Sequence, residues 1–431
     1  MKIINYPHLD EKLVHEKLEN GLDIYLVPKK DYSQTCAVFT TKFGGLYHGY
    51  ELDVNGKKEK VLPGAAHFLE HRIFDYRNKD VLSLFSKYGA SVNAYTSFDR
   101  TSYYFSTNRN FLKSLNLLLD FVQEFNVSEE SVENEKSIII QEALMYVDEP
   151  GYIIDKMTRN SLYFNHPFKD EIIGDIASIK KTTFAHLKAC HDLFYHPSNM
   201  ILVVVGKMDV NIVLSEIKRN QSQKQFKESI LIKYLDFKEK REVKEEYSET
   251  SIDKSYNLVS VAFKMEPLDD YKGIERSKIE KTYDILLSML FGGSSLHNKK
   301  MLENKVYNDY GGYEYSNFHQ MFYISVSNYN VFDIDKYVKD IKDIASDPEK
   351  YLLDEKFFEI QKKGLMSSFI NEFNNLTNLS LEISTLLADN NNFFDQLKII
   401  KSITYNDIIK CAEEFKKAKI TISVVKGNKN D

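Results

Sequence analysis

The segment His67-Phe68-Leu69-Glu70-His71 carries the residues best suited to chemistry in this chain of 431 residues. In a helix, residues three and four apart share one face. Two imidazoles one turn apart, His67 and His71, can grip a single zinc ion through ring nitrogens. The carboxylate of Glu70 beside them can reach a water on that metal. The order HxxEH inverts the commoner HExxH and meets the same geometric need. A catalytic zinc takes three protein ligands and keeps one position open for water. The segment 129–147 is helical in pattern and offers Glu135 and Glu142, two turns apart on one face. Glu142 stands in the run Ile138-Ile-Ile-Gln-Glu142-Ala-Leu144. A carboxylate buried there needs a partner, and a metal is a good one. Glu135 could orient a ligand histidine from behind. On spacing alone, a zinc site and a coincidence of residue types in a Glu-rich chain both stand.

The surrounding pattern supplies elements to hold these residues. Residues 20–28 read as a turn and a strand, and 36–43 as a second strand interrupted by Gly44-Gly45. Pro63-Gly64 punctuate the chain before good helix formers, which suits a helix start at 65. An amphipathic helix over 79–88 ends at Gly89. Residues 91–107 read as a hairpin turning at Ser97–Arg100, 110–125 as a helix, and 129–147 as a helix capped by Ser128. Residues 200–206 form an apolar strand. A charged stretch over roughly 216–255 is the best linker. Beyond it the order recurs: a strand at 257–264, a helix at 277–291, strands near 312–328, helices at 354–371 and 405–416, and a strand at 420–425. The recurrence predicts an α+β chain of two similar lobes, each an antiparallel sheet packed with helices. The expected division is an N-terminal zinc-binding lobe at 1–222, a linker at 223–250 and a C-terminal lobe at 251–431.

Composition excludes several function classes. The net charge is −6 with acid and base mixed along the chain, so there is no nucleic-acid footprint. No long apolar run opens the chain or occurs elsewhere, so neither a secretory signal nor a membrane span is expected, and the cytoplasm is the default location. Cys36, Cys190 and Cys411 are odd in number and far apart, which argues for reduced thiols. His166-Pro167 and His196-Pro197 sit at turns and read as structural. Gly292-Gly293-Ser294-Ser295 lacks the lysine of a phosphate loop and reads as a turn after a helix.

His67–His71, then Gly89-Ala-Ser-Val-Asn93-Ala94-Tyr-Thr-Ser97, then Thr101-Ser-Tyr-Tyr-Phe105, closely resemble the pitrilysin/insulinase family of inverted-motif zinc peptidases. Asn20-Gly-Leu22, Glu135–Glu142 and Tyr195-His-Pro-Ser-Asn-Met200 continue the likeness over the first lobe, and Phe291–Ser295 extends it weakly into the second. The length is similar to that of half-length bacterial members. The resemblance implies a pitrilysin/mitochondrial-processing-peptidase-like fold and a zinc-dependent metalloendopeptidase acting on short unfolded peptides. It implies His67, His71 and Glu142 as zinc ligands, Glu135 behind a ligand histidine, and Glu70 as general base. Asn93 and Ala94 would lie on an edge strand that pairs with the substrate backbone. Two departures stand out: the spacing from His71 to Glu142 is slightly shorter than is usual in the family, and the second lobe differs more seriously. Many members carry an Arg and a Tyr in the second lobe that contact substrate. The matching stretch here, Ser295–Tyr310, holds no arginine, and neither Tyr307 nor Tyr310 aligns with the family tyrosine. A heterodimer with a sister subunit that lacks HxxEH and supplies the pair is therefore expected, with a homodimer as the alternative. The competing function is a non-catalytic peptide-binding or accessory subunit.

Overall fold

Two runs of β-branched and aromatic residues, Thr35–Thr41 and Met200–Gly206, are buried along their whole length, as central strands of a covered sheet must be. In the computed structural model, which describes residues 1–77, 79–309 and 311–428, they pair antiparallel at the middle of a seven-stranded sheet. Its strands are β1 (Lys2–Tyr6), β2 (Glu11–Lys17), β3 (Asp23–Pro28), β4 (Thr35–Thr41), β5 (Ala90–Thr96), β6 (Thr101–Thr107) and β7 (Met200–Gly206). Their spatial order is β1-β2-β3-β7-β4-β6-β5, which leaves β5 at one edge. A second, five-stranded sheet holds β8 (Tyr247–Ile252), β9 (Asn257–Met265), β10 (Gly312–Phe318), β11 (Met321–Val331) and β12 (Lys419–Gly427), in the order β8-β12-β9-β11-β10. That order is the first sheet's β3-β7-β4-β6-β5 repeated, so the two lobes share one plan and the first adds the β1–β2 hairpin.

The α+β class and the two similar lobes are therefore as expected, with two differences. Neither sheet is wholly antiparallel: β7 runs parallel to β3, and β12 parallel to β8. The lobes are also interleaved along the chain. One compact unit holds Met1–Ala143, Glu171–Leu235 and Asn371–Phe394; the other holds Leu144–Asp170, Asp236–Ile370 and the chain from Asp395 on. Helix Pro150–Leu162 packs on β9 and β12 of the second unit, and helix Leu376–Ala388 packs on β4 and β7 of the first. Contiguous lobes miss this exchange, because each helix leaves the sheet nearest it in sequence. Residues 224–246 carry no helix or strand, but the expected linker ends inside β8.

Four helices concern the site: α1 (Ala65–Ile73), α2 (Val81–Tyr88) and α3 (Phe111–Gln123) of the first unit, and α4 (Glu129–Tyr146), which belongs to that unit as far as Ala143. Phe39, Phe85, Tyr103, Phe105 and Phe121 are fully buried among them and the sheet. Each such side chain contributes about 1.5–3 kcal/mol by leaving water. Among the described residues, no helix is long and apolar enough to cross a membrane. Cys36, Cys190 and Cys411 are unpaired.

Candidate metal centre

Helix α1 begins at Gly64, whose φ of 85° lies in the left-handed region. A Cβ there would stand 2.4 Å from the Ile173 carbonyl oxygen, so only glycine lets the chain turn into the helix. The apolar positions Ala65, Ala66, Phe68, Leu69 and Ile73 are buried. By helical spacing that leaves His67, Glu70 and His71 together on the other face, half-buried. Helix α4 opens with a reciprocal serine pair: the Ser131 N–H donates to Ser128 Oγ at 3.1 Å, and the Ser128 N–H donates to Ser131 Oγ at 3.2 Å. Val132, Glu135 and Ile139 are buried, and Glu142 follows them three residues on.

The two helices bring the expected residues together. His67 Nε2 lies 3.7 Å from one Glu142 oxygen, and His71 Nε2 lies 3.5 Å from the other. These gaps are long for direct hydrogen bonds. They are close to the ~3.3 Å that separates neighbouring ligands around a tetrahedral zinc with bonds of about 2.0–2.1 Å. The three ligand atoms lie within 4.8 Å of one another, the one such group of His, Cys, Asp or Glu among the described residues. Two imidazoles and a carboxylate are a zinc donor set, so the residues present fit the metal. Glu135 accepts from His71 Nδ1 at 3.0 Å, which turns Nε2 toward Glu142. Its other oxygen pairs with the Arg72 guanidinium. His67 Nδ1 is buried without a partner, so only His71 is braced from behind.

The electrostatics suit these places. Burial, helped by the neighbouring His71, pulls His67 down to about 4, so its ring is neutral and its lone pair available. Burial pushes His71 the same way, but the carboxylates of Glu135 and Glu142 outweigh it and raise it. Burial raises Glu135, yet His71 and Arg72 hold it below the usual carboxylate range. Burial raises Glu70 above that range, against the pull of a hydrogen bond from Thr96. A carboxylate raised in this way is better matched to taking and returning a proton near neutral pH.

Asn93 and Ala94 lie on β5, the edge strand, where the Ala94 N–H donates to Asn93 Oδ1 at 2.8 Å. Two neighbours escaped the sequence reading. Thr96, at the end of β5, donates to Glu70 Oε2 at 2.5 Å, and Arg72 closes the chain from His71 through Glu135. Arg72 adjoins the motif and was open to that reading; Thr96 lies inside the run Gly89–Ser97, but nothing local ties it to Glu70. His166 and His196 are structural, each accepting through Nδ1 from the backbone N–H two residues on. Tyr307 is buried, with its hydroxyl donating to Asn298 Oδ1 at 2.9 Å, and Tyr310 lies outside the described residues.

The sequence profile described as Insulinase (Peptidase family M16) matches residues 57–176, and the one described as Peptidase M16 inactive domain matches residues 181–365. The chain is 32% identical over 417 residues to the uncharacterized zinc protease YmfH of Bacillus subtilis, covering 96% of each. The chain belongs to peptidase family M16. Among solved structures, the M16 fold is matched by an M16-like peptidase from Alicyclobacillus acidocaldarius at a TM-score of 0.90 and 28% identity, covering 97% of this chain and 99% of that one. The periplasmic protease PqqL of Escherichia coli shares the fold at a TM-score of 0.76 and 18% identity. It matches 99% of this chain, which spans 48% of PqqL. In length this M16 chain is thus like YmfH and about half of PqqL.

Proposed function

We propose that this M16 chain is a zinc-dependent metalloendopeptidase that hydrolyses peptide bonds in short unfolded peptides. The observation that carries this reading is the convergence of His67, His71 and Glu142 beside a carboxylate, Glu70, that burial makes more basic. Zinc, when bound, acts as a Lewis acid on the attacking water and on the peptide carbonyl. His67, His71 and Glu142 hold it, and Glu135 fixes the tautomer and direction of His71. Glu70 takes the proton of the attacking water and returns it to the leaving amine. Asn93 and Ala94 lie on β5, an edge strand among the described residues, where an extended peptide adds as a strand through main-chain hydrogen bonds, taking the Ala94 N–H from Asn93 Oδ1, with loose sequence preference.

A two-chain chamber completes the substrate site in this reading. The stretch 295–309 holds no arginine, and Tyr307 is engaged in the core of the second unit. A sister subunit lacking HxxEH would supply the Arg/Tyr pair; a homodimer is the alternative. The work is assigned to the cytoplasm, in keeping with unpaired cysteines. The missing arginine also favours a second reading, a non-catalytic peptide-binding or accessory subunit.

The test is cleavage of a quenched peptide library by the chain with and without its sister subunit, in wild type and Glu70→Gln. The expected result is cleavage by the wild-type pair that disappears in Glu70→Gln while zinc is retained. Cleavage surviving in that variant contradicts the role of Glu70. Cleavage by the wild-type monomer alone contradicts the two-chain chamber, and none by the pair favours the accessory subunit.

A further inference from the structure

A carboxylate has two oxygens, and in the reading of Glu70 as the base either could take the proton of the attacking water unless one is engaged. Among the described residues, the side-chain hydrogen bond to that carboxylate comes from Thr96 Oγ1, 2.5 Å from Oε2. Thr96 is the last residue of β5 and faces Thr101 of β6 in register. Thr101 Oγ1 donates to the Phe43 carbonyl at 2.9 Å, and a carbonyl can only accept, so the Thr101 proton is committed. Thr96 Oγ1 lies 3.3 Å from Thr101 Oγ1. The Thr96 proton thus has two possible acceptors, and the nearer, charged one takes it. The side chain that delivers it is stiff: threonine is restricted at χ1, and the strand bearing it is paired with β6 along its whole length.

We propose that Thr96 is a positioning residue for the base. Its hydroxyl engages Oε2, fixes the plane of the Glu70 carboxylate and leaves Oε1 to take the proton. This rests on reading Glu70 as the base. The water's O–H bond breaks as the proton passes to Oε1, the water's oxygen bonds the peptide carbonyl carbon, and the C–N bond breaks as Oε1 returns the proton to the amine nitrogen, leaving a carboxylic acid and an amine while Thr96 keeps its own proton throughout. Thr96 also ends the strand whose Asn93 and Ala94 would receive the peptide, so docking and base alignment act through one strand.

Thr96→Val removes the hydroxyl and keeps the shape, and Thr96→Ser keeps the hydroxyl. With the sister subunit and zinc present, Thr96→Val is expected to lower kcat about 10–100-fold with KM, zinc content and thermal midpoint near wild type. Thr96→Ser is expected to recover most of that loss. Crystal structures give a readout independent of activity: Glu70 keeps its orientation in Thr96→Ser and turns away in Thr96→Val. Should Thr96→Val not fold, Thr96→Ala carries the same comparison. An unchanged Glu70 orientation and kcat in the variant lacking the hydroxyl, or equal losses in both variants, would overturn the proposal. If the wild-type pair cleaves nothing, the peptidase reading fails, and the crystal structures still decide whether Thr96 orients Glu70.

Discussion

Glu135→Gln should loosen the metal site without dismantling it. Glu135 serves two donors at once: one oxygen accepts from His71 Nδ1 at 3.0 Å and the other pairs with Arg72. Glutamine has one acceptor oxygen, so it can serve one of them and must turn its own NH2 against the other. Either way a charge-assisted hydrogen bond is lost in a place where Glu135 is 5% exposed, which costs about 1.5–3 kcal/mol. Arg72 keeps a weaker contact with Asp75 at 3.8 Å, which places the expected fall in unfolding free energy near the lower end of that range. The metal affinity should fall about 10–100-fold, or ~1.4–2.8 kcal/mol, because His71 is no longer braced from behind. Competition with a chromophoric chelator reads the affinity, and urea unfolding of the metal-free protein reads the stability. Glu133→Gln, on the exposed side of the same helix with its side chain 65% exposed, should leave the metal affinity unchanged and lower stability by at most about 1 kcal/mol through its ion pair with Lys136. Wild-type zinc affinity in Glu135→Gln would refute the bracing of His71.

Gly64→Ala should destabilise the first unit by about 2 kcal/mol or more, because the left-handed backbone and the contact with Ile173 both resist a Cβ. A fall in thermal midpoint of about 4 °C or more checks it, and an unchanged midpoint contradicts it. His166 and His191, buried and neutral, should make the protein lose stability on acidification. Burial sets each at about 4 in the fold, against about 6.5 in the unfolded chain. The unfolded state therefore binds the proton first: the contribution is full above about pH 6.5 and is lost as pH falls toward about 4. By about pH 5 each accounts for about 2 kcal/mol. Urea midpoints at neutral and acid pH measure this, and the acid loss should be smaller in His191→Gln; an equal loss there removes His191 from the account.

Much of the site was legible because its parts repeat at helical spacing. His67, Glu70 and His71 fall on one face of α1, and Glu135 and Glu142 on one face of α4, and those periods are local facts. That the two faces meet is a tertiary fact, for which spacing alone left coincidence open. β4 and β7 announced themselves by unbroken apolar runs. The β1–β2 hairpin did not, because β1 is an edge strand with most of its residues exposed and so has little apolar pattern. Helix Pro150–Leu162 opens on Pro-Gly, which reads as a turn, although proline at the first helical position starts helices as readily. Its packing on the second sheet, and that of Leu376–Ala388 on the first, leave no local trace. Strand direction is equally silent, hence the two parallel pairs. Thr96 sits 26 positions from Glu70, and only the meeting of β5 with α1 joins them.

One metal held by three side chains is what the proposed chemistry requires above all. Crystals of the wild-type protein grown with zinc, with data collected at the zinc absorption edge, locate the ion without reference to activity. The expected anomalous map has a strong peak bonded to Nε2 of His67, Nε2 of His71 and a carboxylate oxygen of Glu142, and it loses that peak in His71→Ala. No peak at that position, or zinc bound there through other side chains, would contradict the account.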